Sequence, residues 1–138
     1  MTSLADFVGL PFKDKGRSRD GADCWGGVRL VLAELRGIAL PNYGERYAST
    51  GDVDGISVAI RDGLVRDFRS VAAPAPFDLV IFNLCAKPWH VGIVVGAGRF
   101  LHWPQPDDRG NDGTSRIERW SDRKWHNRVE GFYRYAGR

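Results

Sequence analysis

The apolar residues of this chain change their spacing near Gly63. Before it they recur three and four residues apart, the spacing that lines one side of a helix. Beyond it they come as short runs and alternations, the pattern of strands. Helices first and antiparallel strands afterwards predict an α+β fold, with N-terminal helices packed on an antiparallel β-sheet. The 138 residues leave room for a single domain, spanning 1–138. A chain of this size buries about 68% of its unfolded surface, so it needs neither metal nor disulfide to stay folded.

The spacing predicts a short helix over residues 2–8, with Leu4, Phe7 and Val8 on one side, and a loop over 9–21. Asp23 is placed to cap a helix beginning at Cys24, because its carboxylate can accept an N–H of the first turn. Trp25, Val28, Leu32 and Leu35 carry that helix forward, and Gly37 stops it. A weaker helix is predicted over 52–62, with Ile56, Ala59 and Ile60 inward. Strands are predicted over 64–71, 78–84, 90–95, 99–103, 115–119 and 129–135, with a long polar loop over 104–113 and a helical turn over 121–126.

Net charge is +3, and from Arg99 onward nine Lys/Arg face six Asp/Glu, so the last third carries the surplus. Those charges are interspersed rather than clustered, which argues for a solvated mixed surface and against a nucleic-acid partner. No apolar run approaches the roughly 20 residues of a membrane helix, so no membrane insertion is expected. The first residues show neither a basic start nor an apolar core, so no secretory signal is expected.

Two cysteines do not make a disulfide framework. Cys24 falls at the first turn of its helix, where backbone N–H groups and the macrodipole favour a thiolate. It is therefore the candidate nucleophile, and it should alkylate well below pH 8 with Cys85 lagging. The plain alternative is a small buried apolar side chain. A nucleophile needs a base. His90 opens one strand and His102 nearly ends the next, joined through Gly96-Ala97-Gly98. With those three residues as the loop, Val95 pairs with Arg99 and Gly92 faces His102. His90 then lies diagonally beyond on the same side, about 7–8 Å away between backbones. A two- or four-residue loop would reverse the parity and separate the rings. If the Cys24 helix packs across the face that carries both rings, thiol and imidazoles meet, and one imidazole serves as base while the second orients it. The same three residues could ligate zinc, but no paired metal-ligand spacing supports that, and no cofactor is expected.

Several blocks resemble the NlpC/P60 cysteine peptidases: Gly9-Leu10-Pro11-Phe12, Gly21-Ala22-Asp23-Cys24-Trp25-Gly26, Phe77-Asp78-Leu79-Val80-Ile81-Phe82, His90-Val91-Gly92-Ile93-Val94 and Gly98-Arg99-Phe100-Leu101-His102. The resemblance implies a papain-like α+β core and cleavage of peptide-stem bonds in peptidoglycan, often after γ-D-glutamate. It implies Cys24 as nucleophile, His90 as base and His102 as the orienting third residue. Asp-Cys-Trp-Gly, with Trp25 where cell-wall members usually have Ser, is similar to members found in the tails of phages and phage-derived particles. So is the ending Val129-Glu130-Gly131-Phe132-Tyr133-Arg134. That implies a virion or particle-tail location, synthesis in the host cytoplasm, action in the cell wall or periplasm, and other tail or baseplate proteins as partners. Phe12 stands where the family often has Tyr, which bears on the oxyanion arrangement. A structural tail-tip or hub protein that keeps the fold with weak or no catalysis is the alternative, and amidase or acyl-transfer chemistry a third reading.

Trp25, Trp89 and Trp103, with Phe12, are candidate walls of a substrate groove, with core packing an equal reading for the tryptophans. Asp78 is expected in a turn contact and Cys85 as a loop thiol. Trp120 and Trp125, beside Arg119, Arg123 and Lys124, read either as a docking surface or as one amphipathic turn. His126 receives no role.

Overall fold

The computed structural model describes residues 3–49, 51–107 and 112–137. Residue 2 of the first predicted helix and residues 108–111 of the long loop lie outside them. After a single 3₁₀ turn at Leu4–Phe7 come two short strands, β1 (Arg17–Ser18) and β2 (Gly21–Ala22), within the segment expected to be loop. Then follow α1 (Cys24–Arg36), α2 (Val53–Asp67), β3 (Phe68–Val71), β4 (Leu79–Leu84), β5 (Lys87–Gly96), β6 (Arg99–His102), β7 (Arg116–Arg119) and β8 (Val129–Tyr135). The last six strands form one sheet in the order β3-β8-β4-β5-β6-β7, every pair antiparallel. The α+β expectation holds.

Helix α1 begins and ends where its residues dictate. The Asp23 side chain accepts from the Gly26 N–H, and Gly37 closes the helix in the left-handed region at φ +65°. Helix α2 runs five residues further than its spacing suggested, to Asp67, so the strand expected from residue 64 starts only at Phe68. Gly63 is the cause. It is not a stop but a member of the buried stripe Ile56, Ala59, Ile60, Gly63, and a side chain there would meet the Tyr43 ring at 3.3 Å.

Side-chain alternation divides the sheet into two faces. Leu79, Ile81, Val91, Ile93 and Leu101 pack with Val28, Val31 and Leu32 of α1 and with Ile56 and Ile60 of α2. Val80, Phe82, Val94 and Phe100 form a second core on the opposite face, closed by Trp125. The segment 121–126, expected as a helical turn, is a series of turns that covers this second face.

The β5–β6 hairpin departs from its expected loop and still reaches the expected register. Ala97 and Gly98, both at positive φ, form a two-residue turn closed by Gly96 opposite Arg99. That alone would reverse the parity. A bulge between Val94 and Gly96 restores it, and Val94 pairs with Phe100 and Ile93 with Leu101.

Candidate active site

His90 and His102 are both buried, at 4% and 0% exposure, and their rings meet edge to face. His90 Nε2 lies 2.8 Å from His102 Nδ1. His102 Nε2 in turn lies 2.5 Å from Glu118 Oε2 on β7. The pairing that puts His102 opposite Arg116 and Phe100 opposite Glu118 gives these four side chains one common face. Gly92 leaves the room for this arrangement. A Cβ there would stand 2.7 Å from Phe100 Cδ2 and 3.3 Å from His102 Cβ.

The rings do not project from the face that α1 covers, contrary to expectation. They share the second core with Phe82, Phe100 and Trp125, and the Trp125 ring stacks on His90 with centroids 5.5 Å apart and planes 15° apart. Cys24 and His90 come to one pocket by position rather than by helix packing. The Cys24 sulfur, at the tip of α1, accepts from the backbone N–H of Val91, the residue that follows His90. Cys24 and His90 line this pocket together with Phe12, Ile56, Trp89, Trp103 and Gln105.

The resting thiol is not the low-pKa group its helix position suggested. Burial, reinforced by the Asp23 carboxylate, pushes Cys24 up to about 12, against the pull of backbone hydrogen bonds from Val91 and Trp25 and of the Arg17 charge. Burial also holds His90 well below its ordinary 6.5, and the neighbouring His102 and Lys124 add to the effect. His102 is lowered too, chiefly by burial, although Glu118 opposes the shift. At neutral pH the site therefore holds a thiol beside neutral imidazoles.

Asp23 does more than cap the helix. Its buried carboxylate accepts from Gly26 N at 2.8 Å, Arg17 Nη1 at 2.8 Å, Lys15 N at 3.1 Å and the Tyr47 hydroxyl. This cluster fixes the start of α1 to the loop before it and to the segment after it. An apolar pocket lies alongside, lined by Cys24, Trp25, Tyr43, Tyr47 and the α2 stripe.

A family model matches residues 9–134: the NlpC/P60 family. The chain belongs to this family. Among curated proteins it is 28% identical over 102 residues to the murein DD-endopeptidase MepS/murein LD-carboxypeptidase of Escherichia coli K12, covering 74% of this chain and 46% of that protein. It is 25% identical over 108 residues to protein P54 of Enterococcus faecium, covering 78% of this chain and 18% of that one. The chain thus spans less than half the length of these relatives. Solved structures share the fold. The NlpC/p60 domain of the peptidoglycan hydrolase SagA superposes with a TM-score of 0.59 at 20% identity, covering 94% and 90% of the two chains. An NLP/P60-family lipoprotein-like protein of Staphylococcus aureus gives 0.67 at 23% identity, with 98% and 39% covered.

The remaining expected site residues fall around this NlpC/P60 site unequally. Phe12, Trp89 and Trp103 border the pocket that holds Cys24 and His90, whereas Trp25 borders the adjoining one and donates its indole N–H to Pro41 O at 2.9 Å. Trp103 is 1% exposed, and its Nε1 has no hydrogen-bond partner among the described residues. Its ring lies flush on α1 because Gly27 has no side chain: a Cβ there would come within 2.0 Å of Trp103 Cε3. Trp125 is buried beneath His90, so it is no docking surface, while Trp120 packs half-buried on Phe132. Asp78 makes its turn contact with Ala75 N and, beyond it, takes both ends of the Arg134 guanidinium. Cys85 is exposed at the β4–β5 turn, and His126 is exposed as well. Among the described residues no group of three or more His, Cys, Asp or Glu is arranged to hold a metal. Glu118 is the residue that sequence reasoning missed. Its one signal was a charged residue inside a short strand beside the His102 strand, at a register no single-strand pattern reveals.

Proposed function

We propose that this NlpC/P60 chain hydrolyses amide bonds in the stem peptides of peptidoglycan, with Cys24 as nucleophile, His90 as base and His102 as the residue that orients His90. The observation that carries it is the thiol at the helix tip sharing a pocket with an imidazole whose other nitrogen is held by a second imidazole. Since His90 Nε2 is engaged by His102, Nδ1 is the nitrogen left to take the Cys24 proton. As the proton moves, sulfur bonds to the carbonyl carbon and the oxygen gathers negative charge. The Gly26 N–H at the α1 tip is taken by the Asp23 carboxylate, and the N–H of Cys24 itself is the tip donor we assign to that charge. Collapse breaks the C–N bond, the leaving amine takes the proton from His90, and water then hydrolyses the thioester. Trp89, Trp103 and Phe12 serve as pocket walls.

We further propose that the domain acts on the tail of a phage or phage-like particle, opening the wall locally during entry. The support is the Asp23-Cys24-Trp25-Gly26 form of the nucleophile block. The closing residues that share this resemblance form β8, hydrogen-bonded on both sides inside the sheet, so their pattern answers to packing. Cys24→Ala and His90→Ala are expected to abolish release of soluble fragments from purified peptidoglycan while the protein still folds. Digestion by either variant at the wild-type rate would overturn the mechanism. A wild-type protein that binds tail components and releases no fragment would instead identify a structural tail protein. Sedimentation of the chain with intact tails tests the location, and its absence from them would refute it.

A further inference from the structure

The hydrogen bond between His90 and His102 can be satisfied in two directions. Either ring can donate, because a neutral imidazole carries one N–H and one acceptor nitrogen. The two directions are not equivalent for chemistry. If His102 donates from Nδ1, His90 accepts on Nε2 and must carry its own proton on Nδ1. It then has nothing with which to receive the Cys24 proton. If His90 donates from Nε2, its Nδ1 is bare. The pair alone does not choose between these states.

Glu118 makes the choice. We propose that Glu118 is a positioning residue of the active site, whose carboxylate fixes the tautomers of both imidazoles so that His90 Nδ1 stays unprotonated and available to Cys24. The proposal rests on the reading of His90 as base and deepens it. An ionised carboxylate only accepts, so the nitrogen 2.5 Å from it, His102 Nε2, must hold the proton. Neutral His102 then presents a bare Nδ1, and His90 Nε2, 2.8 Å away, must donate to it. The proton on each ring is thus assigned outward from Glu118, through His102, to His90.

The surroundings keep that carboxylate ionised and in place. Burial alone would raise Glu118, but hydrogen bonds from His102 and from Trp125 Nε1, with the charge of Lys124, bring it below the ordinary carboxylate range. Trp125 makes that contact at 3.3 Å while its ring stacks on His90, so one side chain holds both ends of the chain of hydrogen bonds. The Glu118 side chain remains 24% exposed, in a surface depression shared with Arg99, Arg119 and Asp122. Lys124 and Arg116 face His102 from the covering turn and from β7, and both oppose a positive imidazole. Glu118 is the charge that offsets them when His90 accepts the thiol proton.

Long-range ¹H–¹⁵N correlation on protein labelled at its three histidines tests the assignment directly, with exposed His126 as the internal reference. At pH 7.5 both His90 and His102 are expected as the Nε2–H tautomer. A proton on Nδ1 of either ring would overturn the proposal. Glu118→Gln keeps an acceptor oxygen and loses the charge. It should keep both tautomers, lower kcat about tenfold with KM unchanged, and move the acid limb of the rate profile to lower pH, because the charge that favours protonated His102 is gone. Glu118→Leu removes charge and acceptor together, should lower kcat about a hundredfold, and should leave His102 a mixture of tautomers. Wild-type kcat and an unmoved pH profile in Glu118→Leu would also overturn the proposal. The spectrum needs no substrate, so it decides the tautomers even if the wild type left peptidoglycan intact.

Discussion

Replacing Asp23 by Asn separates the two things this carboxylate does. The side chain is 1% exposed and receives four hydrogen bonds, from Gly26 N, Lys15 N, Arg17 and Tyr47. Asn is nearly the same size and retains one oxygen for the helix cap. Its NH₂ group, however, now faces donors, and the Arg17 ion pair is lost. Breaking a buried pair from one side costs about 3–5 kcal/mol. Arg17 keeps hydrogen bonds to Gly16 O, Asn42 O and the Tyr47 hydroxyl, which places the loss near the lower end, at about 3 kcal/mol. For a chain of this length each kcal/mol moves Tm by about 3–4 °C, so the variant should melt about 10 °C lower. The same substitution removes the charge that, after burial, most opposes ionisation of Cys24. Cys24 should therefore alkylate at lower pH than in the wild type even as the fold weakens. Calorimetry and iodoacetamide labelling followed by peptide mass spectrometry read the two effects on one sample. Melting within about 3 °C of the wild type, or a labelling profile that stays put or moves to higher pH, would refute the reasoning.

Gly92→Ala should disturb the site more than the fold. Its Cβ would press on Phe100 and on His102, moving the ring that holds His90. Overpacking of this kind costs about 1–3 kcal/mol by denaturant titration, and kcat should fall at least tenfold. In acid, the unfolded chain takes up protons at about 6.5 before buried His90 does, so stability is full above that pH and drains away as pH falls below it. Urea midpoints between pH 7.5 and 5 should show this slope, and it should be flatter in His90→Gln. In alkali the sign reverses. The Cys24 thiol ionises near 9.0 when unfolded and near 12 when folded, so its contribution is intact below pH 9 and lost between about 9 and 12. Cys24→Ala should flatten the stability profile over that interval.

Local rules made much of this protein legible. Asp23 and Gly37 delimit α1 through their own backbone and side-chain chemistry, and β8 matches the expected strand over 129–135 residue for residue. The convergence of His90 and His102 also followed from strand parity, though by a different route: the two-residue turn reverses the parity and the bulge at Val95 reverses it back. What failed depended on partners distant in sequence. Gly63 reads as a helix stop unless Tyr43 is known to lie against it. Alternation says only that the histidines share a face, not which layer covers it, and the layer is the Trp125 turn rather than α1. Trp125 and Glu118 belong to the site because the β6–β7 pairing and the turn after β7 fold them under His90 and beside His102. The Cys24 thiol illustrates a further limit. A helix tip favours the thiolate, and burial there disfavours it by more.

The central claim is that the Cys24 sulfur forms a covalent bond to substrate after handing its proton to His90. Rapid acid quenching during turnover of a purified stem peptide, followed by proteolysis and mass spectrometry, measures this directly. An acyl adduct on the peptide containing Cys24 is predicted in the wild type, with none in His90→Ala and none on Cys85. Turnover without any adduct at Cys24, or an adduct that forms equally fast without His90, would contradict it.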